Sequence, residues 1–383
     1  MPNIVMLLSN AFRPDPRVLK EANSLAVAGY AVTIICWDRL AELPGEETME
    51  SGVRIQRIQT IRTVYGAGAR QIIHTPRFWS AAIRKALPLK PELVHCHDLD
   101  TLYAGWRIKK QLGCKLIFDA HEDYPALMSL YLPGIFIQLL NMLECQMLKH
   151  VDATVAASTL FKDKVSAGNF SPVVHIPNVQ FLAPFRAITQ EEVTQTRREM
   201  GLSPDAYVIS YIGGFTRNRL LLPLIESMRS LPEVTLLLYG DGHQRQVIEE
   251  SLKGMVNVRY LGWLPAEWVP LYTCLSDVVY YCLKPDYPGA VYNAPNTLSN
   301  AMAAGKPVIA NDIGDLGRIV RKTSCGILLD EVTPQTIREA ILRLGDSVLR
   351  AKLGEAGRRA AETEFNWPVT EKRLLELYQS LLK

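Results

Sequence analysis

Residues 207–228 read YVISYIGGFTRNRLLLPLIESM: an apolar strand pattern, a Gly-Gly turn with two arginines, and then a helix pattern. This order is typical of one βα unit in a parallel sheet. Gly213 and Gly214 would let the backbone approach a ligand closely, and Arg217 and Arg219 would place positive charge beside the start of the helix. The stretch predicts either a diphosphate clamp or a helix start with two solvated arginines.

The same alternation of short apolar runs and helical patterns extends in both directions. Strands are expected upstream at 4–8, 31–37, 53–58, 93–96, 115–119, 153–156 and 173–176. Strands are expected downstream at 207–212, 235–239, 258–261, 278–280, 307–310 and 326–328. Alternation of this kind predicts an α/β protein whose parallel sheets are covered by helices on both faces.

The length of 383 residues exceeds what one hydrophobic core usually serves, so two Rossmann-like domains are expected. We expect a first domain at 1–184, a second at 185–365, and a C-terminal helix at 366–383 that crosses back to the first domain. The irregular segment that follows 177–179 is the expected linker. Ligands of open parallel sheets bind beyond the carboxyl ends of the strands, so we expect two doubly wound sheets facing a central cleft.

Composition narrows the class of protein. The formal charge of +3 gives no argument for a nucleic-acid partner. The seven cysteines are odd in number and show no CxxC spacing, which favours reduced thiols over disulfides or zinc ligands. The start of the chain lacks a signal-peptide pattern, and no apolar run reaches the roughly 18–20 residues of a membrane span. These features predict a cytoplasmic protein.

Two segments leave a peripheral membrane contact open. Residues 77–90, RFWSAAIRKALPLK, mix aromatic and aliphatic residues with four cations, and residues 133–149 are strongly apolar. Docking on an anionic membrane, such as the inner face of a cell membrane, would explain both. Two packed helices with solvated ends explain them equally well.

Histidines and acids follow two of the expected strands. Residues 94–100 read VHCHDLD, and residues 118–124 read FDAHEDY. Their position favours a role at a site over a role in the core, and His121 is the stronger candidate. A metal site is the competing hypothesis; its candidate ligands are His95, His97, Asp98 and His121.

Three further segments contain glycines, prolines or helix starts of the kind that can bind phosphate. Residues 239–246, YGDGHQRQ, fit a tight turn better than a binding loop. Residues 11–17, AFRPDPR, lack the glycine fingerprint of a dinucleotide-binding fold. Residues 292–310, YNAPNTLSNAMAAGKPVIA, predict a helix that begins near Asn296 and Thr297, with an N-terminus that could face an anion.

Taken together, these motifs resemble the retaining GT-B glycosyltransferases of family four. The resemblance runs from RPDPRVLKEANSLAVAGYAVTII through HCHDLDTLYAGW, FDAHEDYP, HIPNV, YIGGFTRNR and NAPNTLSNAMAAGKPVIAND to FNWPVTEKRLLELY. Each motif is loose, but their order and spacing are specific. The resemblance implies a sugar nucleotide, UDP- or GDP-linked, held mainly by the second domain. It also implies a hydroxyl acceptor held mainly by the first domain, which is a saccharide, a lipid-linked acceptor or one that gives a natural-product glycoside.

The resemblance also implies roles for single residues. Arg219 matches the cationic diphosphate ligand, with Gly213 and Gly214 beside it, and His121 matches a histidine beside the donor sugar. The implied reaction is front-face transfer, in which the departing phosphate helps to deprotonate the acceptor and cationic groups stabilise the leaving diphosphate. Neither a metal nor a cofactor is implied.

The chain departs from the family in the loop and helix at 292–300. Members usually carry a Glu-x7-Glu pattern whose second glutamate holds the ribose; this chain has Tyr292 and Asn300 at those positions. Relatives with a Pro-Asn-Lys loop have lysine where this chain has Thr297. Asn300 can still bond a hydroxyl, but without charge. A catalytically weak sugar-nucleotide-binding partner protein and a GT-B sugar-nucleotide 2-epimerase are therefore kept as alternative functions.

Overall fold

The computed structural model describes residues 1–13, 15–63 and 69–383, without the side chains of 69–72. It divides into two compact units: unit 1 comprises Met1–Pro177 and Thr370–Lys383, and unit 2 comprises Asn178–Val369. The unit limits at 177/178 and 369/370 differ by a few residues from the domain limits expected at 184/185 and 365/366. The expected limits say where independently folding domains would separate, and they stay predictions. Among the described helices, none has the length and apolar character that crossing a membrane requires.

Unit 1 is built on one sheet with helices packed against it. Its strands are β1 Asn3–Leu8, β2 Ala31–Trp37, β3 Glu46–Thr48, β4 Arg54–Ile58, β5 Leu93–His97, β6 Lys115–Ala120, β7 Ala153–Ala156 and β8 Val173–His175. Its helices are α1 Pro16–Val27, α2 Ala69–Ala86, α3 Leu99–Leu112, α4 Tyr124–Met128, α5 Gly134–Leu148 and α6 Thr159–Ala167. A 3₁₀ turn, Leu87–Leu89, follows α2.

The sheet of unit 1 has the order β3-β4-β2-β1-β5-β6-β7-β8. All neighbouring pairs are parallel except β3 with β4. The chain leaves β1 toward β2 on one side and returns to β5 on the other. The ends of β1 and β5 therefore form the switch point at which doubly wound sheets bind ligands.

Unit 2 has the same design on a smaller sheet. Its strands are β9 Tyr207–Ile212, β10 Val234–Tyr239, β11 Val258–Tyr260, β12 Val278–Tyr281, β13 Val308–Asn311 and β14 Gly326–Leu329. Its helices are α7 Ala183–Ala187, α8 Gln190–Glu199, α9 Leu221–Met228, α10 Arg245–Ser251, α11 Val269–Cys274, α12 Asn296–Ala304, α13 Gly314–Thr323, α14 Pro334–Arg343 and α15 Ser347–Thr363. Two 3₁₀ turns, Ala266–Trp268 and Pro288–Tyr292, precede α11 and α12. The last helix, α16 Trp367–Leu381, starts in unit 2, and its larger part belongs to unit 1.

The sheet of unit 2 has the order β11-β10-β9-β12-β13-β14, and all of its pairs are parallel. Its switch point lies between β9 and β12. The Gly-Gly turn that follows β9 is therefore at the expected ligand-binding edge. Each strand predicted from the sequence occurs, with ends that agree to within one residue. The short antiparallel β3 was missed, because its exposed Glu46-Glu47-Thr48 run has no apolar alternation.

Candidate functional site

The turn after β9 is held by a second glycine turn after β10. The amide of Gly213 donates to the Tyr239 carbonyl at 3.0 Å, and that of Phe215 donates to the Asp241 carbonyl at 2.9 Å. A Cβ on Gly240 would lie 1.9 Å from the Gly213 carbonyl oxygen, and one on Gly242 would lie 2.8 Å from that of Phe215. Only glycine fits there, so the YGDGHQRQ segment is a tight turn, as predicted, that supports the Gly213–Gly214 turn.

Arg219 lies at the edge of this turn. Its guanidinium carbon is 4.8 Å from the ring centre of Tyr281, and its backbone pairs with Leu283 just beyond β12. Arg219 was expected to open the following helix; the structure corrects this, because α9 begins only at Leu221. Pairing with the segment after β12 keeps Arg219 extended and holds it at the switch point. Arg217, by contrast, is exposed on the loop.

The start of α12 lies beside the end of β9. The buried Thr297 donates its hydroxyl to the Ile212 carbonyl at 3.1 Å, which ties the first turn of α12 to the strand that carries the Gly-Gly turn. The N-cap residue Pro295 makes no side-chain capping bond. Backbone N–H groups of an uncapped helix start attract anions. The Thr297 hydroxyl itself is used within the protein, so its contribution to a ligand would come from the backbone.

The other predicted residues of this loop are spread over its surface. Asn296 is exposed and its Oδ1 accepts from Gln180 Nε2 at 3.2 Å. Asn300 is half-buried one turn into α12, and Tyr292 is half-buried at the end of the 3₁₀ turn 288–292. The structure thus brings Gly213, Gly214, Arg219 and the start of α12 to one edge of the unit 2 sheet.

In unit 1 the polar residues gather at the ends of β5 and β6. His121 Nε2 lies 3.0 Å from His97 Nδ1 and 3.4 Å from Asp119 Oδ2. Its Nδ1 lies 3.7 Å from Asp98 Oδ2, and its backbone amide donates to Asp98 Oδ1 at 3.2 Å. The His121 side chain is 17% exposed, whereas those of His97 and Asp119 are fully buried. Of this histidine–acid group, His121 and Asp98, whose side chain is 27% exposed, are the members that can meet a ligand.

The backbone of Asp98 is strained to reach this position. Its φ of 63° and ψ of 163° are a conformation that residues with a side chain rarely adopt. The Asp98 amide donates to the Asp119 carbonyl at 2.9 Å, which fixes the strained residue to the next strand. Strain held in this way keeps the Asp98 carboxylate against the ring of His121.

Behind His121 lies an ionic network that the sequence did not predict. Arg17 makes two hydrogen bonds to Asp119, from Nε at 3.0 Å and from Nη2 at 2.8 Å, and approaches Glu21 at 3.2 Å. His95 Nδ1 is 2.7 Å from the hydroxyl of Tyr378, which lies on α16. All of these residues are buried. The only sequence signal was the i,i+4 pair Arg17 and Glu21 on the face that α1 buries.

The pKa values of the groups in this network differ strongly from one another. Burial lowers the pKa of His121, but Asp98 and Asp119 outweigh it and raise the value to about 10. Burial, followed by the neighbouring His95, lowers the pKa of His97 to about 3. Burial raises the pKa of Asp119, yet Arg17 and His121 hold it well below the usual range. At neutral pH His121 is therefore an imidazolium beside a neutral His97 and an ionised Asp119.

The residues that could together hold a metal ion differ from the set predicted from the sequence. Potential ligand atoms of Glu21, His95, His97 and Asp119 lie within 4.8 Å of one another, whereas Asp98 and His121 are not in this group. Both oxygens of Asp119 already accept hydrogen bonds from the guanidinium of Arg17. A buried guanidinium would repel a divalent cation, so the geometry favours a charge network here.

In the segment after β1, an acidic side chain caps the start of α1. The carboxylate of Asp15 accepts from the amides of Arg17 and Val18 and thereby caps α1. A capped helix start offers a phosphate neither these donors nor a positive field. Pro14, in the same segment, lies outside the described residues.

Two family profiles match the chain in succession. Residues 17–179 match the profile of Glycosyltransferase Family 4, and residues 206–347 match that of Glycosyl transferases group 1. The chain belongs to glycosyltransferase family 4.

Individual relatives agree with this assignment. A GDP-mannose-dependent monoacylated alpha-(1-6)-phosphatidylinositol monomannoside mannosyltransferase of Corynebacterium glutamicum is 24% identical over 59% of this chain and 61% of its own length. The chain thus spans less than two thirds of this relative. A D-inositol 3-phosphate glycosyltransferase of Thermomonospora curvata is 24% identical over 94% of this chain and 89% of its own.

Solved structures of the same architecture superpose on this chain over its full length. Sucrose-phosphate synthase from Thermosynechococcus elongatus superposes with a TM-score of 0.84 at 19% identity, over 100% of this chain and 99% of that one. At this identity the likeness shows the fold. The fold predicted from the sequence, GT-B with two Rossmann-like α/β domains, is confirmed.

Proposed function

We propose that this protein transfers a sugar, with retention of configuration, from a nucleoside diphosphate sugar to a hydroxyl acceptor. The observation that carries the proposal is the edge of the unit 2 sheet, where the Gly213–Gly214 turn, Arg219 and the uncapped start of α12 lie together. Backbone amides and one fixed guanidinium are the groups that a diphosphate needs. The printed name of the mannosyltransferase relative, which is GDP-mannose-dependent, supports a donor of this class.

In the proposed reaction, the diphosphate leaves with a growing negative charge, which Arg219 and the amides at the start of α12 would stabilise. His121, cationic at neutral pH and partly exposed, would contact the donor sugar, as the family resemblance implies. The phosphate oxygen that becomes free would accept the proton of the attacking hydroxyl. No protein base is assigned.

The proposal includes metal independence. A metal would normally neutralise the diphosphate, and here the positive groups of unit 2 would do so instead. Asp241 and Asp286 are exposed acids near this edge of the sheet, and both already pair with cations, Arg245 at 3.5 Å and Lys284 at 3.0 Å. The proposal therefore predicts turnover in the presence of EDTA.

The finer parts of the proposal concern acceptor and location. We propose a saccharide or lipid-linked hydroxyl as acceptor, and a cytoplasmic protein with a peripheral membrane contact at the inner face. The lipid substrate in the name of the mannosyltransferase relative is in keeping with this class of acceptor. UDP and GDP are the expected nucleotides.

A donor screen tests the proposed function. The protein is incubated with UDP-, GDP- and deoxythymidine diphosphate sugars, with and without saccharide and lipid-linked acceptors, in EDTA and in Mg²⁺. Acceptor-dependent release of nucleoside diphosphate that EDTA leaves unchanged is the expected result. Binding without release would indicate the catalytically weak partner, and a changed sugar without an acceptor would indicate the epimerase. Either outcome would overturn the proposal.

A further inference from the structure

Three helices cover one side of unit 1: α2, α3 and α5. Contacts join α2 to α3 and α3 to α5, so α3 lies between the other two. The Trp79 and Tyr103 rings of α2 and α3 are 4.6 Å apart, and the Trp106 ring of α3 is 5.5 Å from that of His150, just after α5. We call the exposed side chains of these three helices the outer face.

Helix α5 gives the outer face an apolar stripe. Five large apolar side chains, spaced along one side of the helix, are between 37% and 64% exposed: Ile135, Phe136, Leu139, Met142 and Leu143. No charged residue occurs from 133 to 143, and Glu144, the one acid of the helix, is buried. Adjacent exposed apolar side chains in this number mark an interaction site.

The charge on the outer face has a single sign. Its exposed charged side chains are all cations: Arg77 and Arg84 on α2, and Arg107 and Lys110 on α3. Within the described part of the three helices no Asp or Glu is exposed. The whole chain carries 42 cationic and 39 acidic residues, so this segregation is local. An anionic partner is what such a surface attracts.

A groove of about 420 Å³ lies between α2 and α3. Arg84 and Arg107 line it together with Trp79 and Tyr103. Arg107 donates to the Tyr103 hydroxyl at 3.1 Å, and the ammonium of Lys110 lies 4.6 Å from the Trp106 ring centre. Aromatic rings with polar edges beside cations are the composition found at the level of lipid headgroups.

We propose that the outer face docks on a membrane surface rich in anionic phospholipid, with the α5 stripe inserted at the boundary between headgroups and acyl chains and a lipid phosphate held in the α2–α3 groove by Arg84 and Arg107. This deepens the membrane contact of the proposed function, on which it rests. A second copy of the chain is the less favourable occupant, because a two-fold contact through this face would bring cations against cations.

Vesicle flotation of the full chain tests the proposal. The protein is mixed with vesicles of phosphatidylcholine alone or with phosphatidylglycerol at one third of the lipid. We expect binding to the anionic vesicles that falls with added salt. Arg84→Gln with Arg107→Gln should weaken it by roughly tenfold to thirtyfold, since each cation near an anionic surface contributes about fivefold. Leu139→Gln with Met142→Gln should weaken it comparably.

The matched control is Arg198→Gln with Lys352→Gln, which removes two exposed cations of unit 2. It should bind like the parent chain. An equal loss of vesicle binding in the Arg84→Gln, Arg107→Gln variant and in this control would overturn the proposal. Binding to neutral vesicles that the variant with Leu139→Gln and Met142→Gln retains would also overturn it. So would sedimentation of the free protein as a dimer that the α5 variant dissociates. Nucleoside diphosphate release from soluble acceptors is measured alongside, so that failure to dock is distinguished from failure of the proposed reaction.

Discussion

Replacing Arg219 with alanine should weaken the binding of nucleoside diphosphate by roughly ten- to a hundred-fold. The guanidinium is held over Tyr281 at 4.8 Å, and its backbone is fixed by pairing with Leu283, so little ordering is required when a diphosphate binds. A charge-assisted hydrogen bond contributes about 1.5–3 kcal/mol, which gives this range of affinities at about 1.4 kcal/mol per tenfold. Arg219→Lys keeps the charge but loses the bidentate hydrogen bonding of the guanidinium, so its affinity for nucleoside diphosphate should lie between those of the parent and the alanine variant.

Isothermal titration calorimetry with UDP and GDP measures the effect. The stacking of Arg219 on Tyr281 contributes about 0.5–1 kcal/mol to stability, so the variant should melt slightly earlier but remain folded. Arg217→Ala should cost less than about fivefold, because an exposed cation contributes at most about 1 kcal/mol. Arg198→Ala, in α8, serves as the matched control and should bind like the parent. Unchanged affinity in a folded Arg219→Ala protein would refute the assignment, and a larger loss in Arg217→Ala would transfer the role to that residue.

Three further predictions concern both units. His121→Ala should reduce turnover at least tenfold and nucleotide affinity by less than about threefold, because the imidazolium would contact the sugar; normal turnover in a stable variant would remove His121 from the site. Asn300→Glu should tighten donor binding or raise turnover if the ribose lies where the family resemblance implies, and a variant identical to the parent on UDP-, GDP- and deoxythymidine diphosphate sugars would show that Asn300 never meets the nucleotide. Burial, then Asp119, raises the pKa of Glu21 to about 8, so ionising Glu21 in the folded protein lowers its stability between pH 4.5 and 8. In urea unfolding, Glu21→Gln should have the same free energy of unfolding as the parent near pH 4.5, and should exceed the parent by up to roughly 1.4 kcal/mol more for each pH unit toward pH 8. A difference between the two proteins that stays constant with pH would contradict the raised pKa.

The parts of the fold that sequence predicts well are those fixed by local pattern. Strand β9 and its Gly-Gly turn follow from an apolar run that ends in glycine, and their bounds agree with the structure. The conformation of the residues that lead into α9 does not follow from local pattern. Residues 218–220 bond to the segment after β12 instead of entering the helix, and that partner lies more than 60 residues away in sequence.

The candidate site of unit 1 shows the same limit. The strand ends that carry His97 and His121 could be predicted, because parallel strands bring their carboxyl ends to one edge. The pairing of Arg17 with Asp119 spans 102 residues, and that of His95 with Tyr378 spans 283. Nothing in the local sequence specifies such partners. The cationic state of His121 depends on Asp98 and Asp119, so it could be stated only once the structure placed both carboxylates beside the ring.

The most direct test of the central claim is the configuration of the product. The donor that releases nucleoside diphosphate in the screen is supplied with its acceptor in EDTA, and the new linkage is examined by proton NMR during the first turnovers. A glycoside with the same anomeric configuration as the donor is the predicted result. An inverted linkage, or transfer that stops when metal is removed, would contradict the account.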